Sequence, residues 1–266
     1  MTTLAAWVSV DSAKLSACYL MSDSRITWNN THWDAGQKLF VSSRFPDVFG
    51  YSGDVQFPTL ALRQTLDRID QGLLLASGAT SAMRHESICQ ELETAYRAYP
   101  AHGANHSTIL HFSRDGSGKH AQFNLWKIEW SRDSAIRSTP LNLPTSSVIG
   151  ETAGSGWKIL IERNEAWKKV QGRTARGIFS SFCDALDSGE DPKSAGPPQL
   201  VALYPSFPSR LFGIVWRDKR YMAGSLVPDD AQLDAFEWRN SLFERVDPHT
   251  LRRLAGAQPQ PRPTSL

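Results

Sequence analysis

Thr2 follows Met1 and stands just ahead of an apolar run, Leu4-Ala5-Ala6-Trp7-Val8. A strand beginning there would hold Thr2 in place, where the first residues of most domains are loose. Removal of Met1 is expected, because the second residue is small. One residue would then carry both a hydroxyl and a free α-amine. Such an amine titrates near about 7.7–8.0, so at neutral pH it is close to poised as a general base. It can take the proton of its own hydroxyl, directly or through a water, and turn that hydroxyl into a nucleophile. The β-branch of threonine restricts χ1 and so helps aim Oγ1.

That chemistry needs further parts. A nearby cation disfavours a second positive charge and keeps the amine neutral. A carboxylate holds the cation, and backbone N–H groups meet the oxyanion as it forms. Asp23, Lys38 and Gly53 are residues of the right types, although spacing alone does not bring them together. Other constellations are weaker. Gly-Glu-Thr-Ala-Gly-Ser-Gly-Trp-Lys over 150–158 lacks the Gly-Lys-Ser/Thr of a phosphate loop. His102, His106 and His111 fall in a loop and a strand without metal-ligand spacing, and no metal or cofactor is expected.

The elements that must position these residues are readable from periodicity. Residues 4–10, 14–27, 38–43 and 47–53 read as strands, the first two separated by Asp11-Ser12. From Asp54 the period changes: Leu62, Leu66, Ile69 and Leu73 mark one helix face. A second helix opens at Thr80 as N-cap, turns Met83, Leu92, Tyr96 and Tyr99 toward a core, and stops at Pro100. Residues 107–130 form a hairpin around Asp-Gly-Ser-Gly, and 146–156 a strand leading into helix. Ala175, Ile178, Phe179, Phe182 and Leu186 mark the next helix; 199–204, 210–217 and 219–224 are strands. Residues 229–254 read as helical, and the Pro-rich 256–266 as a disordered tail. Strands and helices come in blocks and do not alternate, so a doubly wound parallel sheet is disfavoured. The order suits an α+β, four-layer αββα sandwich of two antiparallel sheets between helices.

With those motifs in order, the chain resembles the proteasome β-subunits and their bacterial relatives, which are N-terminal nucleophile hydrolases. The resemblance rests on Thr2-Thr3, Ser-Asp-Ser-Arg-Ile-Thr over 22–27, Lys38 and Tyr-Ser-Gly-Asp over 51–54. It continues through Gly154-Ser155-Gly156 and Asp191-Pro192-Lys193-Ser194-Ala195-Gly196 ahead of a strand. It implies a hydrolase domain over 2–225, to which we add a helical extension over 226–255 and the tail. It implies Thr2 as nucleophile, Lys38 as the residue lowering the amine's pKa, Asp23 as its carboxylate and Gly53 as an oxyanion N–H donor. Ser155, Asp191 and Ser194 would position the terminal amine, Arg25 would join an ion pair, and Tyr51 would line the pocket for the residue before the scissile bond. The chain departs from the pattern at Gly53-Asp54, where many relatives have two glycines, and at Ala195-Gly196 followed by two prolines; Asp54 is a candidate helix cap.

The implied activity is a threonine endopeptidase working in a homo-oligomeric ring on peptides or unfolded protein, with a separate ATP-dependent unfoldase to feed it. The alternatives are a catalytically silent ring or scaffold subunit, and an amidase of small molecules using the same N-terminal chemistry. Composition agrees with neither nucleic-acid nor membrane partners: the formal charge is +2 over 266 residues, with the signs mixed. No apolar run approaches the roughly 18 residues of a membrane helix. The first ten residues lack the pattern of a secretory signal, and three scattered cysteines are no disulfide framework. A cytoplasmic setting is expected.

Overall fold

The computed structural model describes all residues except Met1, Asn30, 101–105, 132–133, Arg173 and 264–266, and the side chain of Gln171. His102 therefore lies outside the described residues, as does Met1. The strands and helices are β1 (Thr3–Asp11), β2 (Lys14–Ser22), β3 (Ile26–Trp28), β4 (Thr31–Trp33), β5 (Leu39–Val41), β6 (Asp47–Ser52), α1 (Gln56–Asp70) and α2 (Ser81–Ala98). They continue with β7 (Ser107–Asp115), β8 (Gln122–Trp130), β9 (Arg137–Leu141), β10 (Ile149–Gly154), α3 (Trp157–Gln171), α4 (Ala175–Ser188) and β11 (Gln199–Leu203). The last are β12 (Arg210–Leu211), β13 (Gly213–Trp216), β14 (Lys219–Met222), β15 (Ser225–Leu226) and β16 (Trp238–Asn240).

Two five-stranded antiparallel sheets carry the core, in the orders β10-β1-β2-β11-β12 and β5-β6-β7-β8-β9. Alternation along each strand splits its side chains between two faces. From β1, Leu4, Ala6 and Val8 meet Leu20, Val48, Leu110, Phe112 and Leu125 between the sheets. From the other face of the same strand, Ala5 and Trp7 pack under Leu160, Ile178, Phe179 and Phe182 of α3 and α4. Phe49 and Tyr51 of β6 likewise face Leu62, Leu66, Ile88 and Leu92 of α1 and α2. The result is four layers, αββα. Apolar burial on this scale, at roughly 25 cal/mol per Å² removed from water, is the main favourable term holding the layers together.

Local signals behave as their chemistry dictates. Thr80 caps α2, its hydroxyl accepting from Met83 N at 3.3 Å. Asp54 does not cap α1: the N-cap is Val55, without a side-chain cap, and the Asp54 carboxylate accepts from Val55 N at 2.6 Å one residue ahead of it. Three further expectations fail. Leu73 lies past the end of α1 and is exposed, and Met83 points to solvent from the outer side of α2. Over 226–255 there is no α-helix among the described residues.

That segment instead forms turns around β16, which pairs in parallel with β13 and lays Trp238 over Gly213. Val215, Leu233, Trp238 and Val246 make a small core of their own. Phe243 and Leu251 adopt left-handed φ of 59° and 61°, which no helix interior allows. The described part of the tail has no regular structure, yet it is not loose. Gln260 is buried, donating from Nε2 to Ser180 Oγ at 2.8 Å and from N to Glu244 Oε1 at 2.8 Å.

Candidate active site

β1 brings Thr2 to the rim of the first sheet, and the chain leaving β2 turns sharply at Asp23. Both lie beside Lys38, which directly precedes β5 of the other sheet. Lys38 Nζ donates to Thr2 Oγ1 at 2.8 Å and to Asp23 Oδ1 at 2.9 Å. All three residues are almost wholly buried. Asp23 Oδ1 also accepts from Thr3 N at 3.0 Å, while Oδ2 accepts from Arg25 N at 3.0 Å and Ala195 N at 3.2 Å. Burial raises the Asp23 pKa above the usual carboxylate value, and Lys38 with these N–H groups works against it. Burial lowers the Lys38 pKa, against the pull of Asp23. A lysine so placed gives up its proton more readily than one on the surface.

A second cluster sits behind Thr2. Asp191 Oδ2 accepts from Ser155 Oγ at 2.6 Å and from Ser194 Oγ at 2.7 Å, and Thr3 Oγ1 lies 2.8 Å from Ser194 Oγ. Partial burial raises the Asp191 pKa, but the hydrogen bonds from Ser155, Ser194 and Lys193 N outweigh it and leave the net shift downward. The Gly154-Ser155-Gly156 turn brings this cluster against the N-terminus. Ser155 N donates to Thr2 O at 2.8 Å, and Gly154, at φ +95°, comes so close that a Cβ there would lie 1.7 Å from Thr2 O. Only glycine fits.

Thr2, Gly53 and Gly154 line one cleft of about 1200 Å³, together with residues of β3, β7, β8 and β10. Gly53 has φ +111°, and a Cβ on it would meet His106 O at 2.2 Å. Arg25 forms a bidentate pair with Asp34 at 2.7 and 2.8 Å and also donates to Pro192 O. Tyr51 is the exception. It does not line the cleft: β6 alternation turns Gly50 and Ser52 to the inter-sheet side and Tyr51 toward the helices, where its hydroxyl accepts from Thr59 Oγ1 at 2.9 Å. Its expected place in a substrate pocket is thus corrected.

Gln199, the first residue of β11, was not visible as a site residue. Its Nε2 donates to Asp23 O, Ser24 Oγ and Gly36 O at 3.1, 2.9 and 2.8 Å. Its Oε1 accepts from Lys38 N at 3.0 Å and Leu39 N at 3.4 Å. One buried amide thus ties the Asp23 turn to the Lys38 strand. The available signal was a lone polar residue opening the apolar run Gln-Leu-Val-Ala-Leu.

Two antiparallel sheets face to face, a helix pair on each outer side, and a cleft opening at the first residues of β1 define the architecture. The fold is an αββα sandwich of four layers. Among solved structures, the chain is similar to eukaryotic HslV from Trypanosoma brucei, at 15% identity and a TM-score of 0.46, over 76% of this chain and 99% of that one. It is also similar to Thiobacillus denitrificans BPH in complex with epoxomicin, at 13% identity and a TM-score of 0.48, over 77% of this chain and 100% of that one. Both likenesses are distant, and the fold rests on the layers and strand order themselves. No family model and no curated protein sequence matches the chain.

Proposed function

We propose that this chain is a threonine peptidase of the proteasome type, acting through Thr2 once Met1 has been removed. One observation carries the reading: Lys38 Nζ bridges Thr2 Oγ1 and Asp23 Oδ1 in a buried site that opens on a peptide-sized cleft. The lysine cation opposes protonation of the nearby α-amine and stabilises the developing alkoxide. The freed amine takes the Oγ1 proton, and Oγ1 attacks the substrate carbonyl. The Gly53 N–H, at the cleft wall, is the proposed donor to the oxyanion. The amine returns the proton to the leaving nitrogen, and an acyl-enzyme remains. A water activated by the same amine then releases the acyl product. Ser155, Asp191 and Ser194 hold the terminal residues through hydrogen bonds of 2.6–2.8 Å that include the Thr3 hydroxyl. The proposal includes a homo-oligomeric ring in the cytoplasm, peptide or unfolded-protein substrates, and a separate ATP-dependent unfoldase.

Two unrelated changes test it. Thr2→Ala removes the hydroxyl and keeps the amine; a fixed N-terminal tag keeps the hydroxyl and converts the amine into an amide without basicity. Both should abolish cleavage of fluorogenic peptides and labelling by epoxyketones. Cleavage by the tagged protein at the untagged rate would sink the N-terminal mechanism. If the Met1-free protein neither cleaves nor labels, the chain is a silent subunit.

A further inference from the structure

Release of the acyl group needs a water fixed beside the Thr2 amine. The amine supplies the base, and a second polar contact must aim the water's lone pair at the acyl carbon. The hydroxyls nearest the N-terminal residues are mostly engaged already. Thr3 Oγ1 donates to Ser194 Oγ, while Ser155 Oγ and Ser194 Oγ donate to Asp191. Ser24 Oγ donates to Pro197 O at 2.6 Å, and Ser107 Oγ accepts from Asp54 N at 3.0 Å.

Ser52 differs. It ends β6, where alternation sends Phe49 and Tyr51 to the helices and Val48 and Gly50 between the sheets, so Ser52 continues the inter-sheet face. There it meets Gly154 of the first sheet, which ends β10 and pairs with Thr3. The point where a Cβ on Gly154 would stand is 2.9 Å from Ser52 Oγ and 1.7 Å from Thr2 O. The hydroxyl therefore lies against the main chain of the nucleophile. Ser52 also lines the cleft, together with Thr2 and the adjoining Gly53. Among the described residues its hydroxyl makes no hydrogen bond, and unlike the orphaned Ser22 Oγ it is not walled off. Buried polar groups in proteins find partners, and one that opens on a cleft finds them in what enters it.

Resting on the peptidase reading, we infer that Ser52 is a positioning residue for deacylation, its hydroxyl holding the hydrolytic water against the Thr2 α-amine. The water oxygen bonds to the acyl carbon while its proton passes to the amine. The bond from that carbon to Thr2 Oγ1 then breaks, the ammonium returns the proton to Oγ1, and the acyl group leaves as a carboxylic acid. Acylation consumes no water, so loss of the Ser52 hydroxyl should fall on the second half of the reaction alone.

The test uses the Met1-free protein and fluorogenic peptide esters, which acylate fast and leave deacylation to set kcat. Ser52→Ala should lower kcat at least about tenfold and KM with it, so that kcat/KM stays within about twofold. Rapid mixing should show a burst of one fluorophore per Thr2 and then slow turnover, with the acyl group found on the N-terminal peptide by mass spectrometry. Labelling by an epoxyketone, which needs the hydroxyl and the amine of Thr2 but no water, should keep its rate. Hydroxylamine, a nucleophile that needs no positioning, should restore turnover to Ser52→Ala, and Ser52→Thr, which keeps a hydroxyl, should retain most of it. Labelling and kcat/KM that fall in step with kcat, or a wild-type kcat in Ser52→Ala, overturns the inference and leaves the peptidase reading intact. An unsubstituted protein that neither labels nor cleaves any ester overturns both.

Discussion

Both oxygens of the Asp23 carboxylate are fully engaged, by Lys38 Nζ and Thr3 N on one side and by Arg25 N and Ala195 N on the other. A buried charge held this way stays in register only if the segments carrying its partners stay in register. Gln199 is the residue that fixes two of them, since it hydrogen-bonds the backbone at Asp23, Gly36 and Lys38 at once. Gln199→Leu keeps the volume and strands those buried groups, at roughly 1–3 kcal/mol for each one left unsatisfied. It should lower stability in urea melts and, through a misplaced Lys38, cut kcat at least tenfold with KM nearly constant. A variant that melts early yet retains wild-type kcat would reduce Gln199 to a structural part. The types of Thr2, Asp23 and Lys38 were readable before the structure because the chemistry demands a hydroxyl, an acid and a base. Gln199 was not, because a glutamine bonding to backbone leaves no mark in composition or period. Tyr51 was misread for a related reason: its distance from Gly53 was legible, but the face of β6 it occupies depends on the register of the sheet.

Between α2 and the second sheet runs a buried polar relay that a reading of periodicity does not foresee. His111 Nε2 must donate to Asp47 Oδ1 at 3.0 Å, so its Nδ1 accepts from His85 Nδ1 at 2.9 Å, and His85 Nε2 accepts from Ser138 Oγ at 2.6 Å. Arg84 closes the far end on Asp47 at 2.7 Å. One set of tautomers satisfies every member, with both imidazoles neutral. Burial, with His111 beside it, lowers the His85 pKa to about 3, and burial lowers that of His111 as well. For Asp47, burial raises the pKa, but His111, Arg84 and Ser113 bring it below the usual value. The signs agree. An unfolded histidine binds its proton near about pH 6.5 and folded His85 does not, so stability falls as pH drops from 6.5 toward 3. Asp47 adds stability above the ordinary carboxylate pKa and loses it as pH falls through its lower folded value. His85 alone should cost on the order of 1–2 kcal/mol between pH 7 and 5, read as a shift in urea midpoint. His85→Gln should flatten that slope even if it lowers the plateau; a slope that persists unchanged would assign the acid sensitivity elsewhere. Element boundaries nearby, such as the Thr80 cap, were legible because capping is local. The 229–254 segment was not, because its apolar residues answer to β13 and Gly213, far away in sequence.

At the scale of the whole molecule, several aromatic side chains stand open on the surface. Trp28, Trp33, Trp157, Phe207 and Phe236 are each more than 40% exposed, and Trp33 on β4 lies outside the cleft. Single exposed apolar residues are ordinary, but tryptophan is enriched in subunit interfaces and uncommon on free surface. The two-stranded β3–β4 hairpin that carries Trp28 and Trp33 pairs with neither main sheet, and of its strand residues Ile26 alone is buried. A second copy of the chain would cover Trp33 and leave Trp28 facing the cleft. On this reading, light scattering after size-exclusion chromatography should give a mass of many subunits. Trp33→Glu, which places a charge at the covered position, should shift the population toward the 29.6 kDa monomer with an unchanged circular dichroism spectrum. Peptide cleavage should fall in step with the oligomer if the cleft depends on its neighbours. A monodisperse monomer of the Met1-free protein at micromolar concentration would remove the ring and the enclosed chamber. The chemistry at Thr2 would then have to stand as that of a free-standing hydrolase.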